Sequence, residues 1–170
     1  DYVWEIEKSD INLTDVSWNY EEAFTYDGSE KTVELTRIPD DTTINYIENR
    51  SSVAGTFRAN AEILYDKKNF NRPAQIEPLE WEIKCGEYDM SRVCWSSTKS
   101  FEYDGGDKSV VLENIPEDIF VSYSGNTGIN AGDYIAVASF TPKNALNMNA
   151  PSSMICKWSV NRADYDISGI

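Results

Sequence analysis

Residues 24–39 read FTYDGSEKTVELTRIP, and residues 101–116 read FEYDGGDKSVVLENIP. Each stretch carries a Tyr-Asp-Gly step, then a run in which apolar and polar residues alternate, then Ile-Pro. In the first copy Val33 and Leu35 share one parity, while Thr32 and Glu34 share the other. An alternation of period two is the mark of a strand with one wet face. Gly28 and Gly105 supply the positive φ that a tight hairpin turn needs. Pro39 and Pro116 end the strand, because proline donates no amide hydrogen to a ladder.

Outward from these stretches the same register continues. Trp4, Trp81 and Trp158 recur at a spacing of 77 residues, and Trp18/Trp95, Tyr46/Tyr123, Asn49/Asn126 and Gly55/Gly132 keep it. Residues 56–65, TFRANAEILY, place Phe57, Ala59, Ala61, Ile63 and Tyr65 on one face; the second copy keeps Tyr134, Ala136, Ala138 and Phe140 there. A short strand around Ile44 and Tyr46 precedes this run, and a loop containing Pro73 and Pro78 leads from it to LEWEI. The reading is all-β, with two tandem antiparallel β-sandwich domains at 1–84 and 85–170, six or seven strands each. The tail ADYDISGI at 163–170 repeats GEYDMSRV at 86–93 and starts a third copy. The Trp strand is left with three roles: it closes one domain, opens the next, or runs through both.

These patterns carry a resemblance. F-x-Y-D-G-x-x-K-x-V-x-L-x-x-I-P, the second element VAGTFRANA and NAGDYIAVA, and the third WEI, WEI and WSV together resemble the bacterial immunoglobulin-like repeats, MBG type among them, of large cell-surface and adhesin proteins. The resemblance covers essentially the whole chain. It implies that the two tandem β-sandwich domains are immunoglobulin-like, in an extracellular or surface-bound bacterial protein. Ala-Gly-x-Tyr-x-Ala also looks like a tyrosine corner, in which Tyr134 bonds a nearby backbone group; Phe57, its counterpart, has no hydroxyl.

Composition narrows function. The net charge of −14 argues against nucleic acid and anionic membrane as partners. No apolar run is long enough to span a bilayer and no signal peptide is present; a chain beginning at Asp1 reads as an excised or mature segment. There is no histidine, which removes Ser-His triads, histidine–metal sites and the commonest acid–base group. The carboxylates Asp40-Asp41, Asp27/Glu30 and Glu117-Asp118 fall in predicted turns. No catalytic residue, no cofactor and no metal site is expected. Calcium is the one candidate ion, at Ser9, Asp10 and Asn12, at Glu87 and Asp89, and at Asp164 and Asp166, but the oxygens are few for an ion that takes six to eight. Lys31 and Lys108 are read as strand-start lysines with packed stems, ahead of any lysine–asparagine cross-link.

Copy-specific residues are the remaining candidates. Tyr20 and Phe70 are aromatic in one repeat only and form the candidate binding patch. Cys85, Cys94 and Cys156 have no cysteine counterparts, and Cys94–Cys156, Cys85–Cys94 and no bond all stay open. The expected function is a non-catalytic stalk or spacer, a monomeric segment of a larger protein. The alternatives are an adhesin-type module for a host or microbial glycan or protein, and an accessory domain of a secreted enzyme.

Overall fold

The computed structural model describes residues 3–40 and 42–164; Asp41, Asp166 and the repeat-like tail from 165 lie outside them. The described residues form strands and no helix. The chain divides into two compact units, Asp1–Gly86 and Glu87–Ile170, a boundary two residues from the one the repeat gives.

The first unit holds β1 (Ser17–Trp18), β2 (Phe24–Thr25), β3 (Lys31–Thr32), β4 (Leu35–Thr36), β5 (Thr42–Ile47), β6 (Arg50–Ser51), β7 (Gly55–Tyr65) and β8 (Leu79–Lys84). The second repeats them as β9 (Cys94–Trp95), β10 (Ser100–Glu102), β11 (Lys108–Ser109), β12 (Leu112–Glu113), β13 (Ile119–Ser124), β14 (Thr127–Gly128), β15 (Gly132–Pro142) and β16 (Met154–Asn161). In each unit four strands make one sheet, in the order β2-β8-β7-β5 or β10-β16-β15-β13, and the rest form two short pairs. Strands β8 and β16 run antiparallel to β7 and β15 but parallel to β2 and β10.

The alternating stretch after Tyr-Asp-Gly is where the chain changes partners. Strand β3 pairs with β6, and two residues later β4 pairs with β1. Val33 sits at the switch, fully buried. Asn49 holds it from both sides: the Val33 amide donates to the Asn49 carbonyl at 2.9 Å, and Asn49 Nδ2 donates to the Val33 carbonyl at 3.0 Å. Val110 and Asn126 repeat this at 2.9 and 3.2 Å. Tyr46 and Tyr123 tie β4 and β12 to the larger sheets, their hydroxyls accepting from the Leu35 and Leu112 amides at 2.9 and 3.0 Å.

Three expectations change. The Tyr-Asp-Gly step has its positive φ, +84° at Gly28 and +80° at Gly105, but β2 and β3 do not pair, so it crosses between sheets and is not a hairpin. The Trp strand has a single role: Trp81 and Ile83 on β8 close the first core, and Trp158 and Val160 on β16 close the second. Of the alternatives left open for Cys85, Cys94 and Cys156, the structure has no disulfide, and the Cys94–Cys156 bond is not formed. Cys94 is exposed on the outward parity of β9, while Cys156 points into the core from β16. The Tyr134 bond, by contrast, forms: its hydroxyl donates to the Asn130 carbonyl at 2.6 Å.

Removing the Tyr123 hydroxyl leaves the Leu112 amide, at a half-buried place, without its acceptor. Tyr123→Phe is expected to cost about 1–3 kcal/mol in urea unfolding of the second unit. An unchanged midpoint would show that the tie between the sheets carries no stability.

Candidate functional site

The repeat makes each unit a control for the other, and two places differ. The first is an open groove of about 770 Å³ at one end of the first unit, with Leu13, Trp18, Leu35 and Ile76 among its apolar residues and Asp10 and Glu77 among its polar ones. In the second unit the matching end is filled: Ile119 and Phe140 belong to the core cluster and Tyr88, Met90 and Met154 pack against it, where the first copy has Ile11, Leu13, Thr42, Ile63 and Glu77.

One residue explains much of the groove. Strand β16 pairs with β15 from Ala138↔Met154 onward, whereas β8 begins pairing with β7 only at Ala59↔Leu79. The first copy has Glu77-Pro78 where the second has Met154-Ile155. Pro78 has no amide hydrogen, so the ladder cannot start before it. The Glu77 carbonyl instead accepts from Trp18 Nε1 at 3.0 Å. In the second unit the equivalent indole, Trp95 Nε1, is buried with no partner among the described residues.

The second place is the outer face of the β10-β16-β15-β13 sheet. Ile135, Val137 and Ile155 cluster there: Val137 and Ile155 are cross-strand partners, and Ile135 is opposite Lys157. Ile135 and Ile155 are well exposed. Beyond the Ser122–Ser139 pair lies exposed Phe120, with Lys143 Nζ 5.3 Å from its ring centroid. The first unit has Arg58, Asn60 and Pro78 at the positions of the three aliphatic residues.

The structure does not join Tyr20 and Phe70 into a patch. The Tyr20 ring lies 5.8 Å from that of Phe24 against the core, and its hydroxyl accepts from the Glu82 amide at 3.0 Å. Phe70 is half-buried on a turn: its amide donates to the Asp66 carbonyl and its backbone bridges to Ser9. The Tyr20 ring serves the first unit's own packing, and Phe70 is tied in by its backbone. The Ile135–Ile155 face was not singled out from the sequence, although the change from Arg58, Asn60 and Pro78 to three aliphatic residues on one parity signals it.

The acidic candidates go to local bonds. Asp10 accepts from Asn71 Nδ2, Glu87 from Asn149 Nδ2 and Asp89 from the Ser91 amide. Among the described residues no three histidine, cysteine or acidic side chains group as a metal set. Lys31 Nζ lies 2.7 Å from Asp27 Oδ2, and Lys108 Nζ 2.6 Å from Asp104 Oδ2. Each lysine is thus paired to an aspartate of its own turn and not to an asparagine of a neighbouring strand. The hydrogen bonds from Lys31, then those from Ser29, hold the Asp27 carboxyl well below the usual carboxylate range. Lys108, then the Gly106 amide, lower Asp104. Comparison with protein-family models, curated proteins and solved structures finds no match.

Two outcomes are expected. Trp18→Phe loses a bond and Trp95→Phe removes an orphaned donor, so the first should be costlier by about 1 kcal/mol in urea melts of the respective units; equal costs would deny the Glu77 bond any role. Asp27 and Asp104 are lowered on folding. Their contribution is therefore present above the unfolded carboxyl value, about 4, and lost as pH falls through the folded one. The Asp27→Asn/Asp104→Asn variant should lose stability less steeply than the parent below pH of about 4. Parallel curves would discount the turn ion pairs, which are exposed and screened by salt.

Proposed function

We propose that the chain is a non-catalytic stalk or spacer, two immunoglobulin-like β-sandwich units of a tandem array in a bacterial surface or secreted protein. The observation that carries the reading is the parallel pairing of each unit's last strand with an early one. Tension applied to the two ends of a unit slides parallel strands past one another. Their hydrogen bonds then lie across the force and must fail together, whereas an antiparallel terminal pair opens one bond at a time. In the first unit the pairing is Phe24↔Ile83 and Thr25↔Lys84, extended by the Tyr26 amide to the Lys84 carbonyl at 2.9 Å. Ser9 adds a parallel bridge to Phe70. In the second it covers Ser100↔Ser159 to Glu102↔Asn161, with further bonds from the Ser159 amide to Lys99 and from the Tyr103 amide to Asn161. The shared side-chain bonds of Asn49, Tyr46, Trp81 and their counterparts are internal, as expected where the scaffold is what repeats.

A second reading, an adhesin-type module for a glycan or protein, is favoured by the aliphatic face of Ile135, Val137 and Ile155, since contiguous exposed apolar surface marks contact sites. An accessory role beside a secreted enzyme has no observation of its own.

Pulling the chain by its ends should give two discrete unfolding peaks, each releasing about 250 Å of chain at ~3.4 Å per residue. The second unit, with the longer parallel pairing, should yield at the higher force. Smooth extension at low force would sink the stalk reading. Retention on an immobilised glycan or protein, abolished by Ile135→Lys/Ile155→Lys, would move the function to the second reading.

A further inference from the structure

Among the described residues, the segment ahead of Ser9 carries the most exposed large apolar side chains. Val3 is 96% exposed, Trp4 79% and Ile6 80%, and residues 3–8 belong to no strand. Surface tryptophan and isoleucine two residues apart, both on one parity, lack any covering element. From Ser9 onward the chain is tied down: the Ser9 amide donates to the Asn69 carbonyl, the Asn71 amide to the Ser9 carbonyl, and Lys8 Nζ to the Lys67 carbonyl.

The same chain shows twice what covers such a segment. Trp4-Glu5-Ile6 has the sequence of Trp81-Glu82-Ile83 and stands in register with Trp158-Ser159-Val160. In β8 the tryptophan is 1% and the isoleucine 2% exposed, between β2 and β7, with Glu80, Glu82 and Lys84 facing out. The indole N–H donates to a carbonyl in the turn after β5: Glu48 at 3.2 Å for Trp81, and Gly125 at 3.0 Å after β13 for Trp158. Both acceptor residues have positive φ, +56° and +66°. Just past β8 the chain begins the second unit at Glu87, as it is tied into the first unit from Ser9.

We propose that residues 3–7 are a closing strand without its unit, built to complete a further β-sandwich of this same type. That partner supplies two strands flanking a vacant central position and, after its fifth strand, a turn with a left-handed residue whose carbonyl takes the Trp4 indole. The inference rests on the tandem-unit part of the proposed function and adds the phase of the array: a unit ends at its Trp strand, and residues 3–7 close a different unit from the one that follows them. It also gives Trp4 a partner class, since Trp4 and Ile6 are then core residues and not a displayed binding patch.

The test extends the chain by one acceptor. Residues 9–78 are placed directly ahead of residues 2–170, so that 2–7 follow residue 78 as 79–84 do in the first unit. In the 170-residue chain the amides of 3–7 should exchange freely with deuterium, and Trp4→Ser should leave the melting temperature unchanged. In the extended chain those amides should slow by on the order of a hundredfold or more, to the level of 80–84. Trp4→Ser should then unfold the added unit alone. A control uses the authentic residues 79–84 as the closing strand of the added copy. If the control folds and residues 3–7 stay unprotected in the test chain, the proposal is overturned while the tandem reading stands. If neither added copy folds, the units are not autonomous and both fall. Protection of 3–7 in the original chain would also overturn it, because the strand would then be covered already.

Discussion

The closing tryptophan is the contact on which each unit depends. Trp81 and Trp158 sit nearly fully buried at the centre of their clusters, touching Phe24 and Phe57 in one copy and Phe101 and Tyr134 in the other. A buried indole needs an acceptor for its N–H, and the chain supplies one by bending after β5 or β13 through a left-handed residue. At Gly125 the bend is also a close approach: a Cβ there would stand 2.2 Å from the Ile135 carbonyl oxygen. The first copy has Glu48 in the same conformation, so glycine is required by the packing of one copy and not by the φ value itself. Around this contact the remaining shared ties are short-range consequences. Asn49 and Asn126 follow the bend by one residue and clamp the partner switch at Val33 and Val110.

Single residues then set the differences. Proline at 78 starts β8 late, frees the Glu77 carbonyl for Trp18 and leaves a groove; methionine and isoleucine at 154 and 155 extend β16 and fill the same end. The groove exists because the first core is smaller there, with Ile63 where the second has Phe140. Gly128 lets Tyr134 lie over the strand, since a Cβ would meet the phenol ring at 2.7 Å; the first copy pairs Ser51 with Phe57 at these positions. Glycine therefore goes with tyrosine in one copy, and serine with phenylalanine in the other.

The β content, the two units, the long β7 and β15 strands and the Tyr134 bond were legible in the sequence, because period-two alternation and a fixed repeat report local geometry and internal duplication directly. The sheet change at Val33 was not, since an alternating run looks the same whether it keeps one partner or trades β6 for β1. The Tyr-Asp-Gly step misled for a related reason: positive φ specifies a turn, not what the flanking strands pair with. Tyr20 stands out as a patch candidate because its counterpart is Ser97, yet a copy-specific residue can be copy-specific packing. Spacing leaves the Cys94–Cys156 pairing open because it says nothing of parity, and parity puts one outside and one in.

A tandem chain of units closed by near-identical strands invites a neighbour's strand into the wrong slot, because swapping exchanges equivalent contacts. The inward residues offer little protection: tryptophan followed by isoleucine or valine fits any copy. Discrimination has to come from the outward residue between them and its parallel neighbour. Ser159 meets Ser100 there, hydroxyl to hydroxyl at 3.3 Å, and Asn161 Nδ2 donates to the same Ser100 oxygen at 3.0 Å. The first copy has Ala23, Glu82 and Lys84 at these three positions and uses Tyr20 to hold the Glu82 amide. A Glu-bearing strand in the second slot would place a carboxylate where Ser100 now has hydroxyl and amide partners. A Ser-bearing strand in the first would keep the Tyr20 bond, which is to backbone. The Ser100 hydroxyl can donate to that carboxylate and the site is exposed, so the outward residues discriminate weakly and neither slot strongly excludes the other unit's closing strand.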